Sequence, residues 1–232
     1  MLKFLWRWTW RLVALALGAA LAYQLWLLAQ VWYWIDHNPA TTAFMDARLE
    51  ALQAKDPHAR LQHYWVPYDR IATHLKRAVV AAEDARFIDH EGFDWEGIQH
   101  ALERNYKRGK VVAGGSTISQ QLAKNLFLSG ERTPMRKAEE ALITLMLENL
   151  MTKRRILEIY LNVVEWGNGV FGAEAAARHY YGVPAAQLAA ERAATLASML
   201  PAPRYFDSHR NSTYLAGRTA IILARMPAAQ LP

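Results

Sequence analysis

The chain has no cysteine among its 232 residues, which excludes disulfides and thiolate catalysis and leaves no bridge pattern from which to read a redox compartment. Histidines and acids do not recur at zinc-ligand spacing. Repeats and low-complexity blocks are absent, and alternating strand patterns nearly so, which favours a compact, almost all-helical domain. Charge is missing from the whole stretch Leu12 to Ile35, while Lys3, Arg7 and Arg11 stand just before it. As a helix that stretch would run about 36 Å, enough for a hydrocarbon core of roughly 30 Å. Basic residues before it and Asp36 after it favour an N-terminus in the cytoplasm with the remainder outside. A cleaved signal peptide usually has a shorter apolar core and a small-residue cleavage site, and a buried soluble helix is the third reading. Here Leu25, Trp26, Leu27, Leu28, Val31, Trp32, Tyr33 and Trp34 stay bulky well past that length. Trp26, Trp32, Tyr33 and Trp34 suit an outer aromatic belt, and Trp6, Trp8 and Trp10 an inner one.

These features divide the chain into a basic segment (1–11), a transmembrane helix (12–35), a membrane-proximal linker and helix (36–67) and one further domain (68–232). The formal charge of +6 includes the three juxtamembrane bases, so the remainder is mildly basic. That balance suits an anionic lipid surface or substrate. With the domain outside the cytoplasm, nucleic acid is not an expected partner.

The spacing predicts helices over 43–54, from Asp69 to about Ala82, from Asp94 to about Tyr106, and from Thr117 to Leu128. Others start at Thr133-Pro134 and Thr152, and the last three cover 172–180, 185–199 and 212–226. Gly109 to Gly115 and Ser129 to Pro134 read as mobile loops.

Glu83 and Asp84 end a helix of apolar side chains, where burial and the C-terminal dipole would raise a carboxyl pKa and make a good base. Pairing with Arg86 or solvating a turn is the competing reading. His90, between Asp89 and Glu91, suits hydrogen bonding that holds the loop before Gly92. Arg136 and Lys137 oppose the charge preference of a first helical turn, and Glu140 shares a face with both. With Lys124 and Arg132 they would clamp a diphosphate, or else form a solvated basic face with ordinary ion pairs. Gly114-Gly115-Ser116-Thr117 lacks the Gly-Lys-Ser/Thr order of a nucleotide loop and permits a tight entry to the helix of Gln120, Gln121 and Lys124. The two glutamines suit sugar hydroxyls and amides, or solvent equally well.

In order, these segments resemble the bacterial peptidoglycan glycosyltransferase family, lysozyme-like enzymes that polymerise lipid II. The resemblance is carried by Glu83-Asp84-Ala85-Arg86-Phe87-Ile88-Asp89-His90-Glu91-Gly92, by Gly114 to Asn125 (GGSTISQQLAKN), by Arg136-Lys137-Ala138-Glu139-Glu140, and by Lys153 through Glu158 and Tyr160-Leu161-Asn162 to Gly167, Gly169 and Gly172. It spans about residues 68–205; Ala85 stands at a place often polar in relatives. The resemblance implies an all-α, lysozyme-like glycosyltransferase domain behind one N-terminal transmembrane helix. It implies Glu83 as general base and Glu140 as the second active-site glutamate. Lys124, Arg132, Arg136 and Lys137 would contact the lipid pyrophosphate. Asp84, Phe87, His90, Gly115, Ser116, Thr117, Gln120, Gln121 and Asn125 would bind or shape the substrate cleft, with Glu158 and Asn162 as support.

The resemblance further implies no required cofactor, with a divalent cation (Mg or Mn) as a stimulant, although no spacing defines a ligand cage. Expected partners are lipid II, the growing lipid-linked glycan, the membrane, and cell-wall synthesis or division proteins. The expected location is the inner membrane with the domain in the periplasm, by analogy with the short, monofunctional, Gram-negative architecture. The Ser-x-x-Lys and Lys-Thr-Gly motifs of a penicillin-binding domain do not occur. Phe87, Phe93, Trp95, Leu126 and Phe127 are candidates for lipid contact or for core. A lytic, glycan-cleaving enzyme of the lysozyme-like class and a non-catalytic scaffold are the two rival readings.

Overall fold

The computed structural model describes residues 2–110, 114–128, 130–131 and 133–232. The chain divides into two units, residues 1–38 and 39–232. The first is a single helix, α1 (Leu2–Tyr33), of which Trp6–Tyr33 is long and apolar enough to cross a membrane. Only 6% of its most apolar window is buried. That marks a single-pass membrane protein. The helix starts before Leu12, so Arg7 and Arg11 lie within it, and Arg11 sits 5.2 Å from the centre of the Trp8 ring.

The second unit begins with α2 (Ala43–Gln53), capped by Thr42, whose Oγ1 accepts from Met45 N at 3.2 Å. Its core helix is α3 (Thr73–Glu83), which buries Leu75, Ala78, Val79, Val80 and Ala81. Asp69 does not cap that helix as its sequence position suggests. It lies in a separate 3-10 turn, Tyr68–Arg70, and pairs with Arg154 at 2.6 Å. Ile71 and Ala72 are extended between the two, with Ala72 N donating to Ala185 O at 3.1 Å, so a tertiary bond breaks what local spacing joins.

The next starts follow their side-chain caps. Asp94 accepts from Gly97 N to open α4 (Trp95–Arg108), and Gly109 closes it in the left-handed region at φ 61°. Thr117 and Gln120 form a capping box on α5 (Ile118–Phe127). Thr133 caps α6 (Pro134–Leu150), with proline in its first turn, and Thr152 caps α7 (Lys153–Val163).

A three-stranded sheet follows, which the sequence did not suggest. β2 (Glu165–Gly167) runs antiparallel to β3 (Val170–Phe171), and β1 (Gln62–His63) lies parallel to β3 with Gln62 opposite Val170. Gly172 then turns into α8 (Ala173–Tyr181) at φ +83°, where a Cβ would stand 2.6 Å from Asn162 O. Only glycine fits both demands.

The expected single helix over 185–199 is broken into a 3-10 turn, Ala185–Gln187, and α9 (Ala190–Met199). Ala185 N is tied to Glu174 Oε2 at 2.8 Å, and Leu188 is extended. A short α10 (Pro203–Ser208) and α11 (Thr213–Arg225) complete the unit, followed by a 3-10 turn, Met226–Ala228. α3 packs against α9 and α11, and α5 against α6 and α7. Trp166, Tyr160, Phe87 and Phe171 are the largest wholly buried side chains.

Candidate active site

The C-terminal end of α3 delivers Glu83 to a cleft of about 1110 Å³. α5 crosses beside it and contributes Gln120, Gln121, Lys124 and Asn125, while α6 contributes Arg136, Lys137 and Glu140. Arg48 from α2, Glu165 from β2 and the segment 200–205 complete the lining.

Glu83 is held among polar neighbours on α5 and α11. Gln121 Nε2 donates to its Oε2 at 2.8 Å, and the Tyr160 hydroxyl donates to Gln121 Oε1 at 2.9 Å. The tyrosine thereby fixes which end of the amide meets the carboxylate. Burial pushes the Glu83 pKa up, against the opposing effects of the Gln121 bond and the Arg218 charge. Such a carboxylate is a stronger base than an exposed one. Arg218 Nη2 lies 3.6 Å from Glu83 Oε1.

Glu140 is 3% exposed and carries two cations on its own helix. Arg136 Nη1 donates to its Oε2 at 2.7 Å, and Lys137 Nζ donates to its Oε1. One carboxylate between two bases leaves the α6 face net positive, and Lys124 adds a third cation from α5. Burial pushes the Lys124 pKa down, and its ammonium stands 5.3 Å from the centre of the Phe44 ring. Three cations and one acid on one wall suit a dianionic or diphosphate group.

Of the residues expected to touch substrate, Glu83, Glu140, Ser116, Gln120, Gln121, Lys124, Asn125, Arg136 and Lys137 line this one cleft. Arg132 lies outside the described residues. Asp84, Phe87, His90, Gly115 and Thr117 do not line it, and the packing shows what they do instead. Asp84 Oδ2 accepts from Ile118 N at 3.0 Å, and His90 Nε2 donates to Asp84 Oδ1 at 2.9 Å. His90 Nδ1 accepts from Gly92 N at 3.1 Å, which places its proton on Nε2. Thr117 Oγ1 donates to Gly92 O at 2.7 Å. These bonds lace the end of α3 to the start of α5 outside the cleft lining. Phe87 is wholly buried with Lys153 Nζ 4.7 Å from its ring centre, and Gly115 gives close passage past Ile98. Leu126 is likewise core, whereas Trp95 is 72% exposed.

Glu158 and Asn162 stand on α7 behind the site. Glu158 Oε1 accepts from Tyr68 N at 3.2 Å. Asn162 Oδ1 accepts from Val66 N, and its Nδ2 donates to Val66 O and Glu158 O, each at 2.9 Å. Together they pin the irregular segment before α3.

Sequence reasoning missed Tyr160 as the group that orients Gln121, Arg218 behind Glu83, and the Arg48–Glu165 pair, bonded at 2.6 and 3.2 Å. A signal existed for Arg218. It falls in phase with buried Leu215 and Ile222 on α11, an unusual position for a lone arginine. Among the described residues no group of three or more His, Asp or Glu side chains is placed to hold a metal ion.

The transglycosylase family matches residues 50–227. The chain is 62% identical over 231 residues to the biosynthetic peptidoglycan transglycosylase of Dechloromonas aromatica, with all of both chains covered. It is 61% identical to the protein of the same name from Methylobacillus flagellatus, covering 96% of this chain and 97% of that one. The Chromobacterium violaceum protein of that name is 60% identical over 96% of this chain and 97% of its own. The matched span runs from within α2 to the last 3-10 turn and contains every cleft residue except Phe44, Ala47 and Arg48 of α2, so the chain belongs to the transglycosylase family.

Proposed function

We propose that this enzyme polymerises lipid II into β-1,4-linked glycan strands with Glu83 as the general base. Membership of the transglycosylase family supports peptidoglycan glycosyl transfer in general. The observation that carries the specific reading is a buried carboxylate and a cationic wall lining one cleft. Glu83 takes the proton from the 4-hydroxyl of the acceptor N-acetylglucosamine. That oxygen bonds to C1 of the donor's N-acetylmuramic acid as the C1–O bond to the diphosphate breaks, which inverts an α linkage to β. Undecaprenyl diphosphate leaves with the electron pair, and Lys124, Arg136 and Lys137, with Arg132 expected beside them, stabilise its charge. Glu140 orients two of those cations and need not be a glycosidase acid, since a diphosphate leaves without protonation.

Both substrates carry prenyl chains that stay in a bilayer, and α1 would hold the enzyme there, reducing the search to two dimensions. The N-terminus then faces the cytoplasm and the cleft the periplasm. Mg or Mn, expected only as a stimulant, carries no step in this mechanism. The test is incubation of the full chain in detergent with labelled lipid II and, separately, with purified sacculi. Polymer from the first and nothing released from the second is expected; soluble muropeptides without polymer would establish a lytic enzyme instead.

A further inference from the structure

α11 lies outside the four sequence motifs and contributes nothing to the cleft lining, yet it sends one arginine toward the proposed base. Arg218 Nη2 stands 3.6 Å from Glu83 Oε1, inside ion-pair range and beyond a hydrogen bond. Both partners are otherwise unanswered: Glu83 Oε1 and Arg218 Nε are buried atoms with no hydrogen-bond partner. Glu83 Oε2, by contrast, is committed to Gln121. The carboxylate therefore has an inner oxygen that faces a cation and an outer one set by a neutral amide.

We infer that Arg218 is a positioning residue that keeps Glu83 ionised from behind the cleft, leaving Oε2 to meet the acceptor hydroxyl. The inference rests on the reading of Glu83 as the base. A buried carboxyl without a cation would keep its proton at neutral pH and could not accept another. The remaining groups around Glu83 do not supply the charge as well. Asp84, its neighbour in sequence, is acidic and opposes ionisation. Lys124 lies on the cleft side and is itself pressed toward neutrality by burial, with Glu140 and the α6 cations also acting on it. Tyr160 on α7 stays neutral, because burial raises its pKa well above the usual range. α9 and the C-terminal 3-10 turn, also packed on α3, bury only uncharged side chains. Arg218 is the cation that stands in ion-pair range of Glu83.

The test is the pH profile of lipid II polymerisation by the full chain in detergent, for wild type, Arg218→Gln, Arg218→Lys and Glu83→Gln. Arg218→Gln should move the acid limb upward by at least about one pH unit and recover toward wild-type rate at the alkaline end. Arg218→Lys should keep the limb near its original place. Should the glutamine variant fail to fold, Arg218→Met keeps the packing of the stem without the charge and is expected to show the same shift. A loss by the same factor at every pH, or no shift at all, overturns the inference. If Glu83→Gln is inactive while Arg218→Gln keeps the wild-type limb, this inference fails and the base assignment stands. If Glu83→Gln still polymerises with a wild-type profile, the base assignment itself fails.

Discussion

The Tyr160 hydroxyl donates to Gln121 Oε1 at 2.9 Å, and that single bond dictates that the amide nitrogen, not its oxygen, meets Glu83. The carboxylate itself favours the amide nitrogen, and the tyrosine reinforces that orientation by holding the amide oxygen. Tyr160→Phe removes the constraint without changing ring packing. The expected outcome is a several-fold fall in kcat with KM little changed, and a stability loss of about 1 kcal/mol. Steady-state polymerisation rates and denaturant unfolding check both.

Glu83 makes a second prediction, about stability. Its folded pKa is raised chiefly by burial, so folding favours the protonated form. The stability this confers is fully present below the unfolded pKa and is lost as pH rises through the folded pKa. Glu83→Gln should therefore unfold at the same temperature as wild type in acid and at a higher temperature at neutral pH. Thermal unfolding across pH measures the gap. A gap that stays constant with pH would show that the carboxylate is not the source.

Glu140 distinguishes its two cations by exposure. Arg136 is 15% exposed and Lys137 48%, although both pair with the same buried carboxylate. Arg136→Ala should destabilise by about 3 kcal/mol, because it strips a buried charge of its better-shielded partner. Lys137→Ala should cost less than about 1 kcal/mol. Urea unfolding of the two variants gives the comparison, and equal losses would contradict it.

Asn162 ties α7 to the segment before α3 through two hydrogen bonds of 2.9 Å to Val66, and its amide also donates to Glu158 O within α7. Asn162→Ala should lower stability by about 2 kcal/mol, while KM for lipid II in the remaining folded enzyme stays close to wild type. A selective rise in KM would instead place Asn162 against substrate.

Membrane attachment can be separated from catalysis. Removing residues 1–35 should reduce polymerisation of vesicle-embedded lipid II at least about tenfold while leaving the detergent rate much less affected. Equal losses in the two settings would argue that α1 has no part in presenting substrate.

Much of this was readable in sequence because the signals are local. Thr133-Pro134, Thr152 and Asp94 each satisfy backbone donors within three residues, so their helices start where the caps stand. Asp69 misled because a bond from Ala72 to Ala185, more than a hundred positions away, ends the turn before α3 begins. The pairing of β1 with β3 is two residues long and joins distant segments, so no periodicity announces it. In the site, the motif residues were visible as types but not as depths. Asp84, Phe87, His90 and Thr117 are as chemically apt for substrate as Gln121, and only packing keeps them out of the cleft lining. Arg218 shows the opposite case, in which a residue outside every motif is brought against Glu83 by the docking of α11 on α3.

In the proposed reaction Glu83 takes the acceptor's proton as lipid II is polymerised. The most direct measurement is glycan chain formation from labelled lipid II, read on a gel, for folded Glu83→Gln beside wild type. Long polymer is expected from wild type and a rate lower by about 10²–10⁴-fold in the variant, which still unfolds in a cooperative thermal transition. Wild-type polymer yield from Glu83→Gln would contradict it.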